Sequence, residues 1–512
     1  MKIIVKRIII TIILTSGYFN MGAGVGTAEA NKEELTVALS PNVIKGFDPF
    51  LYTRANGSPL IQSTLLSFDK DMGITYDLAD EYQVSEDKMT WEFKIRDDAY
   101  FSNGEQVKAS DVAFTFNTAK YNGWYDLSLL KEAKVIDQYT IHFRLEKPLS
   151  TFSYTAAQLG IVPENQYDEL FTLNPIGSGP YILEEWNVGE QAVFVRNERY
   201  YGKKPIFKRV IILFMDEEEA YAAAQKGLVD VAQTSPAFAN VGVIDGMDIK
   251  AFKGSDQYGI SFTTAPLESD ASGKETGNGV TSEWSIRQAI NLTVKRDHLI
   301  NEVLYGYGEA AYHDADRLPW GYKETEFEDN NIDKAKEILK IAGWIDNDED
   351  GVLEKQGIEA KFKLLFLESD PIAQSMATLL MQQLAEIGIS VEVVGQNEEK
   401  INSNKFNNPF IMRVGNHSPI DLYHRIHEGN TRMNLHISAE VNQLVEGALA
   451  SGDFQIWQSI LRQTAKDLPW IWLVHPDHLY YTKKGLNLGE LAFQSNEQPL
   501  SLLNNIEEWT WE

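Results

Sequence analysis

Cysteine is missing from all 512 residues. Its absence excludes disulfides, thiolate metal sites and cysteine nucleophiles, and with them a lipid-modified cysteine behind an export signal. Positive charge is scarce as well: 46 Lys and Arg stand against 74 Asp and Glu, a formal charge of -28. A protein that binds phosphate backbones needs a basic face to release counterions, so nucleic acid is not expected as a partner. Beyond residue 30 no apolar run approaches the ~20 residues of a membrane span. No His-Glu-x-x-His or Gly-x-Ser-x-Gly pattern occurs, which leaves hydrolytic chemistry little support. There is no internal repeat of fixed period.

What is present starts with an export signal. Lys2, Lys6 and Arg7 precede "IIITIIL", and Ala28 and Ala30 in "TAEA" form a small-residue cleavage pattern. The alternative, an uncleaved anchor, has too short an apolar run. Cleavage after Ala30 removes three positive charges and one negative, leaving a mature chain of about -30. With no cysteine to lipidate, the expectation is a freely soluble periplasmic protein beginning at Asn31. Its length suits two or three domains, and its 43% apolar content is that of a soluble globular protein.

Along the mature chain "ELTVALS" reads as a first strand. "WEFKIR" and "YTIHFRLEKP" alternate as antiparallel strands do. Between them Asn103-Gly104 is a turn, with Ser110 or Asp111 as the cap of the helix that "VAFTFNTA" suggests. "NPIGSGPYILEEW" is a crossing between domains, and "FKRVIILFM" is a buried strand. "SDASGKETGNG" is the lowest-complexity stretch, a surface loop or linker. "SEWSIRQAINLTVKRDHLINEVL" reads as one long helix with Ser282 as its cap, and "NIDKAKEILKIAGW" as a helix stopped by Gly343. The order "AKFKLLFLE", "PIAQSMATLLMQQLAEIG", "ISVEVVG" is β-α-β, which implies parallel strands and a right-handed crossover.

Two stretches invite chemistry. Asp346, Asp348, Asp350 and Gly351 open like a calcium loop, but the twelfth position, where a bidentate Glu belongs, is Gly357; an acidic surface turn is the plainer reading. His417, His424 and His427 lie close together in "RVGNHSPIDLYHRIHEG", and His424 and His427 would share a helix face able to hold a metal. The same stretch also reads as a polar loop and helix with ordinary histidines. An exported metallohydrolase built on this cluster is the rival from another functional class.

"LADEYQVSEDKMTWEFKIRDDAYFSNGEQVKASDVAFTFN" (Leu78 to Asn117) resembles the signature of the family 5 extracellular solute-binding proteins of ABC importers, the dipeptide, oligopeptide and nickel receptors. "IGSGPYILEEW" with "NERYYGKKP", "IRQAINLTVKRDHLINEVLYGYGEAA", "AKEILKIAGW" and "WIWLVHPDHLYY" extend the resemblance over the mature chain. It implies an α/β, two-lobed periplasmic-binding-protein fold of type II, with an accessory domain in the first lobe. The expected division is 1–30 signal peptide; 31–60, 176–268 and 485–512 first-lobe core; 61–175 accessory domain; and 269–484 second lobe. No cofactor is expected. The expected partners are a small-molecule or peptide ligand and permease subunits at the inner membrane, and the chain is expected to be a monomer. A signalling receptor of the same fold that docks on a membrane sensor reads identically.

The resemblance also nominates ligand contacts. Arg317, Trp320 and Tyr322 lie where relatives line the cleft, and Arg317 suits a ligand carboxylate; Trp320 equally suits simple packing. In the peptide receptors an Asp before a Pro pairs with the ligand's amino terminus. Here Ser418 precedes Pro419, so Asp421 is the substitute, with Tyr423 beside it. Under the nickel alternative His417 is the metal-side contact. His475 and His478 are expected to be structural.

Overall fold

The computed structural model describes residues 33–40, 46–50, 60–122, 125–269, 275–322, 328–415, 418–432, 439–490 and 499–512. The proposed signal and His417 lie outside them. The fold is α/β and two-lobed, organised by a large mixed sheet. In the first lobe Glu34–Leu39 pairs in parallel with Arg209–Phe214 and with Val231–Thr234. Gln191–Arg196 and Tyr181–Asn187 extend that edge antiparallel. Val37, Val210 and Ile212 are wholly buried, as strands covered on both faces require.

One strand belongs to both lobes. Trp470–Lys483 is buried almost throughout. Its C-terminal half pairs with Val231–Thr234 and Met247–Lys253 of the first lobe. Its N-terminal half pairs with Gln257–Ser261 and Gly308–Ala310 on the second-lobe side. The change of partner falls at Pro476, which has no N–H to donate to a ladder, and at residues 254–256 of the adjacent crossing. These two segments join the two parts of the sheet.

The second lobe carries the expected β-α-β unit. Lys361–Leu367 and Ser390–Gln396 pair in parallel from Lys361↔Ser390 to Leu367↔Gln396. The helix between them, Pro371–Ala385, buries Ala373, Met376, Ala377, Leu380 and Leu384, the spacing of one helical face. Asp370 caps it by accepting from Ile372 N and Ala373 N, both at 3.0 Å. The helix over Ile332–Ile341 is followed by Gly343 at φ +88°, a left-handed stop that favours glycine.

The long helix read through residues 284–303 is two helices, Trp284–Thr293 and Arg296–Val303, and Glu283 rather than Ser282 precedes the first. The break has a cause. Val294 leaves helical geometry at ψ 129°, and Lys295 N then bonds the Gln383 side chain at 3.0 Å. The wholly buried Arg296 is thereby turned to the carbonyls of Ala311 and Trp472.

A four-stranded antiparallel sheet runs Ala79–Val84, Thr90–Ile95, Thr140–Leu145, Leu130–Val135. Trp91, Phe93 and Ile95 alternate inward against Ile141, Phe143 and Leu145. Helix Ala109–Asn122 covers that face, its Phe116 ring 4.5 Å from Phe143. Asp111 sits in the first turn and accepts from Lys108 N at 2.9 Å, while Gly104 turns at φ +92°. The core of this sheet is continuous with second-lobe residues Leu422, Ile426, Val445, Trp457 and Ile460. No local pattern in the sequence marks that shared core.

Candidate functional site

In open α/β sheets ligands bind at the carboxyl ends of the strands, where backbone groups and helix starts converge. The first lobe presents such ends at Leu39-Ser40 and at Thr234-Ser235. Together with Ile372 and Arg413 from the second lobe and Pro476 to Leu479 of the shared strand, they line a cavity of ≈ 230 Å³. The first-lobe wall is held from within. Gln233 Oε1 accepts from Ser40 N at 3.3 Å, and Glu217 accepts from Ser235 N and from Thr234 Oγ1. The start of the Pro371–Ala385 helix is occupied by its own Asp370 cap, which also accepts from Tyr258 Oη at 2.9 Å.

Arg413 is the cation in this cavity. It sits on strand Phe410–Val414, which pairs with Gln257–Ser261 in the register Tyr258↔Arg413. Its Nη2 is 2.9 Å from Asp256 Oδ2, and its guanidinium carbon lies 5.4 Å from the Tyr258 ring centre. Burial works against its charge, but Tyr258, Asp256 and Asp370 outweigh burial and hold its pKa above the ordinary guanidinium value. Its donors are not all used. Nη1 has only a 3.5 Å contact to Tyr258 Oη, and Nε is buried with no partner among the described residues. A buried donor set left partly unmatched has capacity for a further acceptor. A solute carboxylate supplies one.

His478 and Asp477 form the wall on the shared strand. His478 Nε2 lies 3.3 Å from Asp256 Oδ2. Burial pushes the Asp477 carboxyl up, with Arg317 pulling the other way. His475 is 2% exposed, its Nδ1 3.1 Å from the Asp256 carbonyl and its Nε2 against Asp316. Burial would raise the Asp316 pKa, but His475 and the backbone N–H groups of Tyr312 and His313 hold it below the ordinary value. His475 is thus structural as expected, whereas His478 faces the cavity.

Among the described residues nominated from the sequence, Arg317, Trp320, Tyr322, Asp421 and Tyr423 do not line this cavity. Arg317 Nη2 lies 2.9 Å from Glu309, and its Nη1 donates to the Gly254 carbonyl at 3.3 Å, so it braces the crossing at that residue. Trp320 is wholly buried in the shared core, edge-on to Tyr154 at 5.5 Å. Tyr322 packs on His313 at 4.7 Å with Arg462 above its ring. Asp421 is 7% exposed and accepts from Ser418 N at 3.1 Å, capping the Pro419–Arg432 helix. Tyr423 is partly buried against the shared core. The helix is anchored by Arg425, whose Nε and Nη2 each reach Asp314 at 2.8 Å. His417 and the His427 side chain lie outside the described residues; His424 packs beside Tyr423 at 5.2 Å.

In the acidic turn, ligand atoms of Asp346, Asp348 and Glu354 come within 4.8 Å of one another. Gly351 N and Asn347 N bond to Asp346 and Glu354 respectively, at 3.0 and 2.9 Å. Glu354, not read from the sequence, joins because the antiparallel bridge Ile345↔Glu354 closes the turn.

Sequence reasoning missed Arg413 and Asp256. The signal for Arg413 was a lone cation inside the apolar strand "FIMRV"; nothing local marked Asp256.

The pattern of the bacterial extracellular solute-binding proteins, family 5, matches residues 73–423. The nickel-binding periplasmic protein of Escherichia coli (strain K12) is 28% identical over 391 residues, 73% of this chain and 73% of that protein. The oligopeptide-binding protein AppA of Bacillus subtilis (strain 168) is 25% identical over 497 residues, 90% of this chain and 88% of that protein. Among solved structures, NikZ from Campylobacter jejuni in complex with Ni(L-His) superposes with a TM-score of 0.78 at 22% identity, covering 94% of this chain and 99% of that one.

Proposed function

The chain belongs to the bacterial extracellular solute-binding proteins, family 5, a family of binding proteins, and from that membership we propose that it is a non-enzymatic receptor working outside the cytoplasm. It captures a small solute between its two lobes and delivers it to the permease subunits of an ABC importer at the inner membrane. Export by the cleaved signal 1–30, release without a lipid anchor and a monomeric state are parts of the same reading. So is the division into first-lobe core, accessory domain 61–175 and second lobe 269–484, with the boundary drawn so that Gln257–Ser261 goes with the second lobe and residues 477–483 with the first.

The observation that carries the reading is Arg413, a partly buried guanidinium with an unmatched Nε, in a cavity between strand ends of the first lobe and the second lobe. Its chemistry calls for a carboxylate. The cavity, ≈ 230 Å³, is below the ~300–1,000 Å³ usual for drug-sized ligands, which favours a solute of very few residues. A short peptide is the first choice, in line with the oligopeptide-binding relative. Closure of the lobes around it is the working motion. The glutamate and aspartate on the facing walls, Glu217 and Asp477, give a zwitterion its opposite charge.

A nickel chelate of an amino acid is the second reading, favoured by the nickel-binding relative and the Ni(L-His) complex of the structural neighbour. It offers the same carboxylate to Arg413, with His417 as the metal-side contact. Calorimetry with a dipeptide set and with nickel plus histidine separates the two. Heat from dipeptides alone supports the first, and heat from nickel-histidine alone, lost in His417→Ala, supports the second.

A further inference from the structure

We propose that the accessory domain clasps the second lobe at the C-terminal end of the Ala439–Ser451 helix, a closure contact away from the cavity that has to open when the lobes part; this rests on reading the chain as a two-lobed solute receptor. The last carbonyls of a helix have no partners within it. Here the four-stranded-sheet domain supplies them. Ser150, between strand Thr140–Leu145 and the short helix Phe152–Ala156, donates its backbone N–H to the Leu449 carbonyl at 2.7 Å and its hydroxyl to the same oxygen at 2.8 Å. Lys88, in the turn between Ala79–Val84 and Thr90–Ile95, donates Nζ to the Ser451 carbonyl at 2.7 Å. Gly452 makes the approach possible. Its φ of +72° lies in the left-handed region, and a Cβ there would stand 2.9 Å from Ser150 Cβ.

The two sides of the clasp are fastened to different lobes. The sheet domain is tied to the segment leading into the first-lobe edge strands: Ser102 N donates to the Gly177 carbonyl at 2.9 Å, Gly179 N to the Ile61 carbonyl at 2.8 Å, and Tyr201 Oη to Asp77. The Ala439–Ser451 helix packs on Phe454–Asp467, whose end is held by the second-lobe helix Trp284–Thr293. Trp284 Nε1 donates to the Lys466 carbonyl at 2.8 Å, and Arg287 donates to those of Asp467 and Leu468 at 2.9 and 3.0 Å. Movement of one lobe against the other therefore pulls directly on the Ser150 and Lys88 bonds. Lys88 and Ser150 are only partly buried, so water can take over the freed carbonyls and the contact can be remade. Tyr154, edge-on to Trp320 at 5.5 Å, adds apolar contact across the same boundary and favours the closed arrangement without cargo. Neither Ser150 nor Lys88 lines the cavity. The clasp thus biases opening without touching what is bound.

The lack of cysteine permits a direct test in cargo-free protein. Lys131→Cys in the sheet domain and Glu399→Cys in the second lobe lie at exposed positions, and spin labels there report the distance across the clasp by pulsed electron resonance. Lys88→Ala removes one bond, and Gly452→Ala drives a methyl group against Ser150. Each is expected to raise the longer-distance population several-fold over the parent. A second label pair, Lys131→Cys with the exposed Lys226→Cys of the first lobe, is expected to stay unchanged in both variants. A parental distribution across the clasp in folded Lys88→Ala or Gly452→Ala protein overturns the proposal. So does a shift of the second pair, which would mean that the sheet domain does not keep to the first lobe. Should Gly452→Ala not fold, as judged by its circular dichroism, Lys88→Ala combined with Ser150→Ala decides by the same criterion. Because no cargo is added, failure of the receptor reading appears separately, as absence of dipeptide or nickel-histidine heat in a protein whose clasp distance still responds.

Discussion

Arg413 and Asp256 meet at 2.9 Å beside the crossing between the two parts of the sheet, while Arg317 lies 2.9 Å from Glu309 outside the cavity. The two arginines are thus assigned different work, and their variants separate it. Arg413→Gln removes a charge-assisted hydrogen bond to cargo, about 2 kcal/mol or roughly thirtyfold in affinity. Arg317→Gln is expected to change affinity by less than about threefold, since it alters packing at the crossing rather than a cargo contact. Calorimetry on both variants checks this; the reverse ranking would restore Arg317 as the carboxylate anchor.

Trp320, wholly buried among Tyr154, Phe454 and the core shared by the four-stranded sheet and the second-lobe helices, is a packing residue in this structure. Trp320→Ala is expected to lower the unfolding free energy by ~3–5 kcal/mol. Urea denaturation at neutral pH measures it. A loss under about 1 kcal/mol would mean that the core collapses around the deletion or does not depend on it.

The local patterns were readable because they are set locally. The β-α-β unit around Pro371–Ala385 follows from a helical face between two apolar runs, and Gly343 and Asn103-Gly104 follow from backbone preference. The cleft was not readable in this way. Arg413 and Asp256 are 157 positions apart, and only the antiparallel pairing Tyr258↔Arg413 brings them together. Asp421 and Arg317 looked like ligand groups because side-chain type says nothing about local partners. Asp421 accepts from Ser418 N, and Arg317 lies 2.9 Å from Glu309. The single long helix failed for a similar reason, since the break at Val294 is imposed by Gln383 and by the burial of Arg296.

Asp316 gives the fold an acid limit. Its pKa is held below the ordinary value of about 4, chiefly by His475 working against burial. A carboxyl with a lowered folded pKa stabilises fully above the unfolded value, and that contribution is lost as pH falls through the folded value. Asp316→Asn is therefore expected to cost on the order of 3 kcal/mol at neutral pH, the scale of a broken buried pair. The gap between parent and variant should shrink as pH drops below about 4. Urea titrations of both proteins at several pH values measure the gap; one that widens on acidification has the wrong sign.

Processing is expected to leave Asn31 as the first residue, and the protein is expected to leave cells by osmotic shock without detergent. Mass spectrometry of the released material checks both statements. An intact Met1 in the membrane fraction would contradict them.

The central claim is that Arg413 holds the carboxylate of a small cargo between the lobes. Native mass spectrometry of protein isolated from its own source cells tests it most directly, run on the parent and on Arg413→Gln. The expected result is a carboxylate-bearing solute, a short peptide or a nickel-amino acid complex, retained by the parent and lost from the variant. Retention of the same solute by Arg413→Gln, or a bound solute with no carboxylate, would contradict it.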